Sequence, residues 1–296
     1  MKVLVIGGTG HVGAYLCDIL VEHGHEVFVA SRGSKELPKG VKGIICDAKN
    51  SEELIALRSE NFDSVAIFPG CAGTVYDALA GYVNHIIACG SLWMFGTPRI
   101  VPTPEISFGE CFERSYRLRF ADMGRMMADG RSLFSTVMPP NICGAGKIPI
   151  DGLGGRDIEV HKAHRRGETV YLPDGPEPLI APCDAYDIAV LFALCIENPE
   201  KSAGQMFNVG PRYALTATQF IQAYADIYHS NIPVEYVSWE KYKNEISPNI
   251  AHWWHFYAHM CPDYSKATKL LGFQPKYTAE ESMEHAVRWM YDQKLL

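Results

Sequence analysis

Seven residues in a row, Gly7-Gly8-Thr9-Gly10-His11-Val12-Gly13, follow directly on the apolar run Val3 to Ile6 and lead into a stretch with helical spacing. Glycines at 7, 10 and 13 let a backbone turn tightly, approach a pyrophosphate and pack a helix closely on a sheet. Phosphate charge then meets free amides at the positive end of that helix. Gly7, Thr9, Gly10, His11, Val12 and Gly13 are therefore candidate nucleotide contacts. A tight strand-to-helix turn without a ligand is the plain alternative, and the strand-loop-helix order near the N-terminal end favours the nucleotide.

The end of the second apolar run bears on which nucleotide. An acidic residue there would hold a free 2′-hydroxyl on the adenosine ribose, but this run ends Ala30-Ser31-Arg32-Gly33. A hydroxyl at Ser31 and a guanidinium at Arg32 suit a 2′-phosphate, so NADP is expected ahead of NAD, with an ordinary surface arginine as the alternative for Arg32. Asp47, closing the third run, is better placed for the adenine amino group than for the ribose.

These loops need a scaffold. Val3-Ile6, Glu26-Ala30, Val41-Cys46, Ser64-Phe68, His85-Cys89 and Ser135-Met138 are short β-branched runs that predict buried strands. Between them, residues 12 to 23, 51 to 59, 72 to 80 and about 114 to 129 have helical spacing, with Gly24 and Gly130 where a helix stops. The alternation predicts an α/β fold, a doubly wound parallel sheet of Rossmann type covered by helices on both faces.

After Pro139-Pro140 the texture changes to Gly/Pro-rich loops, punctuated by helices near 184 to 197, 216 to 229 and 279 to 291. Thr216 with Gln219 and Thr278 with Glu281 form capping-box patterns at two of these starts. The expected organisation is a nucleotide-binding domain over 1–143 with segments near 183–210 returning to the sheet. A smaller C-terminal substrate-binding lobe is expected from 144–182 and 211–296.

The 296 residues are 47% hydrophobic and 21% charged, enough for a large core and unlike a disordered chain. A formal net charge of -7 disfavours nucleic acid and anionic membranes as partners. The longest apolar run, Ile188 to Ile196, is too short to span a bilayer, and the first apolar run meets Gly7-Gly8 too soon for an export signal. Nine cysteines without Cys-x-x-Cys spacing predict reduced thiols and a cytoplasmic setting.

With these motifs the chain resembles the extended short-chain dehydrogenase/reductase family of NAD(P)-dependent epimerases and dehydratases, over nearly its whole length. Ala88-Cys89-Gly90-Ser91-Leu92-Trp93-Met94-Phe95-Gly96 is similar to the family's strand ending in serines followed by an aromatic-glycine pair, and Tyr116 follows at the usual distance. Pro139-Pro140-Asn141-Ile142-Cys143-Gly144-Ala145-Gly146, Asp187-Ile188-Ala189, Phe207-Asn208-Val209-Gly210 and Asp263-Tyr264-Ser265-Lys266-Ala267 extend the likeness. The resemblance implies Ser91 and Tyr116 as catalytic residues. It further implies cofactor contacts at Pro69, Tyr116, Pro139, Asn141 and Ile142, and substrate contacts at Ser91, Trp93 and Asn141. Homodimers through a helix pair are common in that family.

One departure stands out. The family's Tyr-x-x-x-Lys reads Tyr116-Arg117-Leu118-Arg119-Phe120, so phenylalanine holds the lysine position. That lysine lowers the tyrosine pKa by its charge. Without it Tyr116 should stay protonated, which suits donation to a carbonyl better than alcohol oxidation. Arg119, one helical turn from Tyr116, either replaces the lost charge or faces solvent.

The family's nucleotide-sugar members usually clamp a diphosphate with an arginine shortly before the C-terminal signature, yet no Lys or Arg occurs from Asn244 through Ser265. An aromatic stretch, His252-Trp253-Trp254-His255-Phe256-Tyr257, stands there instead. Trp253 and Trp254 are candidate walls for a planar or apolar substrate, with core packing as the alternative. His255 and His259 have zinc-compatible spacing, but no third ligand accompanies them and no metal is expected. The leading expectation is an oxidoreductase that reduces or isomerises a carbonyl- or hydroxyl-bearing small molecule. A nucleotide-sugar epimerase with tightly held cofactor and a non-catalytic NADP-binding sensor are the alternatives.

Overall fold

The computed structural model describes residues 1–296 apart from Pro69 and Glu110. Strands β1 (Lys2–Ile6), β2 (Glu26–Ser31), β3 (Lys42–Ile45), β4 (Ser64–Ile67), β5 (His85–Cys89), β6 (Leu133–Met138) and β7 (Met206–Asn208) form one sheet in the order β7-β6-β5-β4-β1-β2-β3. Every neighbouring pair is parallel. Successive strands therefore need crossovers, helical in five of the six connections through α1 (His11–Glu22), α2 (Ser51–Ala56), α3 (Ala72–Leu79), α4 (Arg114–Asp129) and α5 (Ala185–Glu197), with β2 and β3 joined by a loop. The fold is a doubly wound Rossmann-type α/β sheet.

The period-two pattern of the strands explains why helices cover both faces. Val3 and Val5 of β1 join the core under α1 and α5, whereas Leu4 and Ile6 join the opposite core under α2, α3 and α4. Ile87 and Ile86 divide β5 in the same way. A third core lies outside the sheet, where helix Ala217–Tyr228 and helix Ala279–Asp292 pack through Phe220, Tyr224, Met283 and Met290. Both helices begin with the full capping box expected of Thr216 and Thr278.

Several elements differ from expectation at their ends. β2 runs one residue further, to Ser31, because Cys46 N–H donates to the Ser31 carbonyl and prolongs the β2–β3 ladder. β3 is only Lys42–Ile45, an edge strand with Ile45 exposed. The stretch from 51 tightens into a 3-10 turn at Leu57–Glu60 and ends on Asn61 in the left-handed conformation. Helices Ile158–Arg165 and Ser265–Leu271, and strand β7, lay outside the predicted elements.

The sheet order reverses between β1 and β4, which opens a crevice at the carboxyl ends of those strands. The glycine loop fills the turn out of β1. A Cβ on Gly13 would lie 2.3 Å from the Gly7 carbonyl oxygen, and Gly7 itself has φ +89° against the Phe68 backbone. Only glycines let the start of α1 sit this close to the sheet. Gly13→Ala should cost about 1–3 kcal/mol by forced displacement of backbone, read as a lower thermal midpoint together with lost nicotinamide-nucleotide binding. Unchanged midpoint and affinity would contradict this packing.

Candidate functional site

A cleft of about 910 Å³ opens at the carboxyl ends of the strands. Its floor at one end is the glycine loop. Gly10 N–H donates to Gly7 O at 2.9 Å, and Gly10, the N-cap of α1, offers no side-chain cap. No acidic residue stands in the first turn of α1. The helix thus reaches the cleft with uncapped amides and a positive dipole end, the arrangement that holds a pyrophosphate. Gly7, Thr9, Gly10, His11, Val12 and Gly13 all line it.

His11 is tied across the cleft. Its Nε2 lies 2.9 Å from the Ala145 carbonyl, and burial lowers its pKa to about 4, so the ring is neutral and donates that bond. This bond joins the glycine loop to the loop after the short strand Asn141–Cys143, bringing Lys147 and Arg156 to the same cleft. Arg156 donates to the carbonyls of Ile148 at 2.6 Å and Ile142 at 2.7 Å. Lys147 stands at the exposed rim, and partial desolvation together with the Arg156 charge lowers its pKa.

The far end under β2 and β3 is cationic. Ser31, Arg32, Ser34, Lys35 and Lys49 line it, with Asp47 on the adjoining strand end. Ser34, Lys35 and Lys49 were not singled out from sequence. Their signal lies in following the loops after β2 and β3 beyond the first residue.

The opposite end gathers Ser91, Trp93, Tyr116, Arg119, Pro139, Asn141 and Ile142 on the cleft wall. Ser91 caps the 3-10 turn Leu92–Phe95 and accepts Trp93 N–H at 3.3 Å, so its hydroxyl proton is available to a ligand. Trp93 touches Tyr116 edge-on at 5.6 Å between centroids and lies 4.6 Å from the His255 ring. Arg119 faces this cleft with its guanidinium 5.8 Å from the Tyr116 ring centre. Even so, burial outweighs that charge and Tyr116 has its pKa raised.

Phe120 points elsewhere. It packs on Phe95 at 5.8 Å between centroids, within the apolar core under α4. A residue at this helix position is therefore turned toward the core and does not line the cleft.

Trp253 and Trp254 do not line the main cleft. They wall a second cavity of about 420 Å³ with Phe112, Trp239 and Tyr257, so their aromatic surface is spent on one another. From the same segment, His252 and His255 reach the main cleft instead. His255 had drawn notice only as a metal candidate with His259, and the two rings part company: His255 Nδ1 meets Asn141, while His259 Nδ1 accepts Leu179 N–H at 3.1 Å. Pro69 lies outside the described residues. A separate group on the surface, His23, His25 and Glu197, has ligand atoms within 4.8 Å of one another and joins the ends of α1 and α5 by hydrogen bonds to the carboxylate.

Residues 3–88 match the family model described as the NAD dependent epimerase/dehydratase family. A UDP-glucose 4-epimerase of Corynebacterium glutamicum is 24% identical, over 79% of this chain and 83% of its own. Among solved structures, the UDP-glucose-4-epimerase from Stenotrophomonas maltophila with bound NAD and formylated UDP-arabinopyranose covers 99% of both chains at 16% identity and TM-score 0.79. That from Thermotoga maritima with UDP-glucose is 17% identical, covering 99% of this chain and 100% of its own, TM-score 0.76. These two likenesses are of fold. The matched stretch includes the glycine loop, and the side chains at the opposite end of the cleft lie largely beyond it.

Phe120→Lys should not reinstate the family's lysine. The new ammonium would enter apolar packing beside Phe95 and lower stability by roughly 1–3 kcal/mol, a drop of several degrees in thermal midpoint. Full stability with a lowered tyrosine titration would show the position facing the cleft.

Proposed function

We propose that this protein is an oxidoreductase of the epimerase/dehydratase type that prefers NADP(H) and reduces the carbonyl of a small molecule, with Tyr116 as proton donor. The observation that carries the reading is the balance of groups in the cleft. Ser91, Tyr116 and Arg119 offer protons there, and among the described lining residues the one carboxylate is Asp47, at the other end. A site with these donors at the reacting end, and its one carboxylate at the other, favours a developing alkoxide over abstraction of an alcohol proton.

When bound, the nicotinamide supplies the hydride. The uncapped start of α1 would hold the pyrophosphate, and Ser31, Arg32 and Lys35 the 2′-phosphate. Ser91 and Tyr116 would bind the carbonyl oxygen, with the Tyr116 hydroxyl giving its proton to the oxygen as the alkoxide forms. Arg119 would stabilise the phenolate left behind. Residues of 144–182 and 211–296 would close over the substrate. No helix among the described residues is long and apolar enough to cross a membrane, and all nine cysteines are unpaired, which suits a reducing compartment such as the cytoplasm.

A second reading, epimerisation of a nucleotide sugar with the hydride returned, draws support from the Corynebacterium relative and from Lys147, a cation able to meet a diphosphate. Stoichiometric NADPH consumption during turnover favours the reductase, and isomerisation without consumption favours the epimerase.

Three outcomes test the reading. In a screen of aldehydes and ketones followed by NADPH absorbance, wild type should turn over at least one compound at a rate that does not fall until the pH passes the ordinary tyrosine value of about 10, as expected of a tyrosine that acts protonated and whose titration burial pushes up. Tyr116→Phe should lower that turnover by about 10²–10⁴-fold with NADPH affinity unchanged. Arg32→Ala should weaken NADPH roughly tenfold or more and leave NADH unaffected; equal losses for both would return Arg32 to an ordinary surface role.

A further inference from the structure

His255 is more than nine-tenths buried and lines the main cleft. Its surroundings fix which nitrogen carries the proton. Asn141 Oδ1 accepts the Ala181 N–H at 3.1 Å, so the amide nitrogen of Asn141 must be the group 2.7 Å from His255 Nδ1. An amide NH₂ only donates, hence Nδ1 accepts and the neutral ring carries its proton on Nε2. Burial keeps the ring neutral. No atom of the described residues takes that Nε2–H.

The ring also has a fixed neighbour. Trp93 lies between it and Tyr116, contacting both. Each half of the Asn141 amide makes one bond inside the protein, which makes Asn141 a positioning residue for His255.

We propose that His255 Nε2–H and the Trp93 ring form a substrate subsite for a planar molecule bearing a neutral oxygen acceptor, His255 donating to that oxygen while Trp93 packs against the ring. This rests on the reductase reading only for its place in a reaction: it names the part of the substrate held beyond the reacting carbonyl. A donor held neutral and desolvated discriminates by hydrogen bonding. A ligand lacking the acceptor leaves a buried N–H unpaired and binds more weakly.

The test uses the full chain labelled with ¹⁵N-histidine, with benzamide as probe, toluene as the same ring without an acceptor, and NADPH titrated separately. Before any probe, the His255 imidazole should show the Nε2–H tautomer from about pH 5 to 8, and Asn141→Ala should mix the two tautomers. Benzamide should bind in the millimolar range and move the Nε2–H resonance; toluene should bind at least fivefold more weakly. His255→Phe should lower benzamide affinity about tenfold and His255→Gln, which restores an N–H, should recover most of it, with NADPH affinity unchanged in both. Absence of benzamide binding, an unmoved Nε2–H resonance, or equal affinity in His255→Phe would overturn the subsite. Loss of NADPH binding by wild type would instead strike the cofactor reading, and the benzamide titration of the free chain would still decide the subsite.

Discussion

The contact between Gly13 and the Gly7 carbonyl is the constraint on which the rest of the molecule depends. A Cβ at Gly13 would lie 2.3 Å from the Gly7 carbonyl oxygen, so this helix start admits no side chain there, and the glycine pair sets the start of α1 over the crevice between β1 and β4. With α1 placed, its uncapped amides face the cleft, and the His11 bond to Ala145 ties the lobe beyond β6 to the same point. The start of α1 and the loop after Asn141–Cys143 thus meet at one end of the cleft.

At the other end of the cleft, chemistry is decided by what faces inward. Phe120 turns into the core against Phe95, so the charge nearest Tyr116 on its own helix is Arg119, and that charge does not overcome burial. The tyrosine is an acid by circumstance. His255, neutral and protonated on Nε2, adds another donor where a base would otherwise be sought. A pocket of this kind rewards oxygen that gains negative charge, which is the physical ground of the proposed reductase reading.

Much of this was legible in the chain. The alternating apolar residues of Val3 to Ile6 announced a strand buried on both faces, and the glycine spacing announced the turn that follows it. Strand ends were less legible, since Ser31 joins β2 only through a ladder bond from Cys46, a partner distant in sequence. β7 was expected only as part of the segments near 183–210 returning to the sheet, because three residues, Met206 to Asn208, carry too little periodicity to read as a strand. The tryptophans at 253 and 254 looked like a ligand wall, yet aromatic composition cannot distinguish rings that pack on each other from rings that await a ligand. His255 was visible as a residue but not as a donor, because its tautomer is set by Asn141, 114 positions away.

The most direct test of the central claim is a fluorescence titration of the full chain with NADPH, excited at the tryptophan band. Since Trp93 lines the cleft near the proposed nicotinamide end, saturable binding of one NADPH per chain should quench tryptophan emission with energy transfer to the nicotinamide, and Trp93→Phe should diminish the transfer while the affinity holds. No saturable quenching by NADPH or NADH would contradict the account, leaving the glycine loop as a tight turn without a nucleotide.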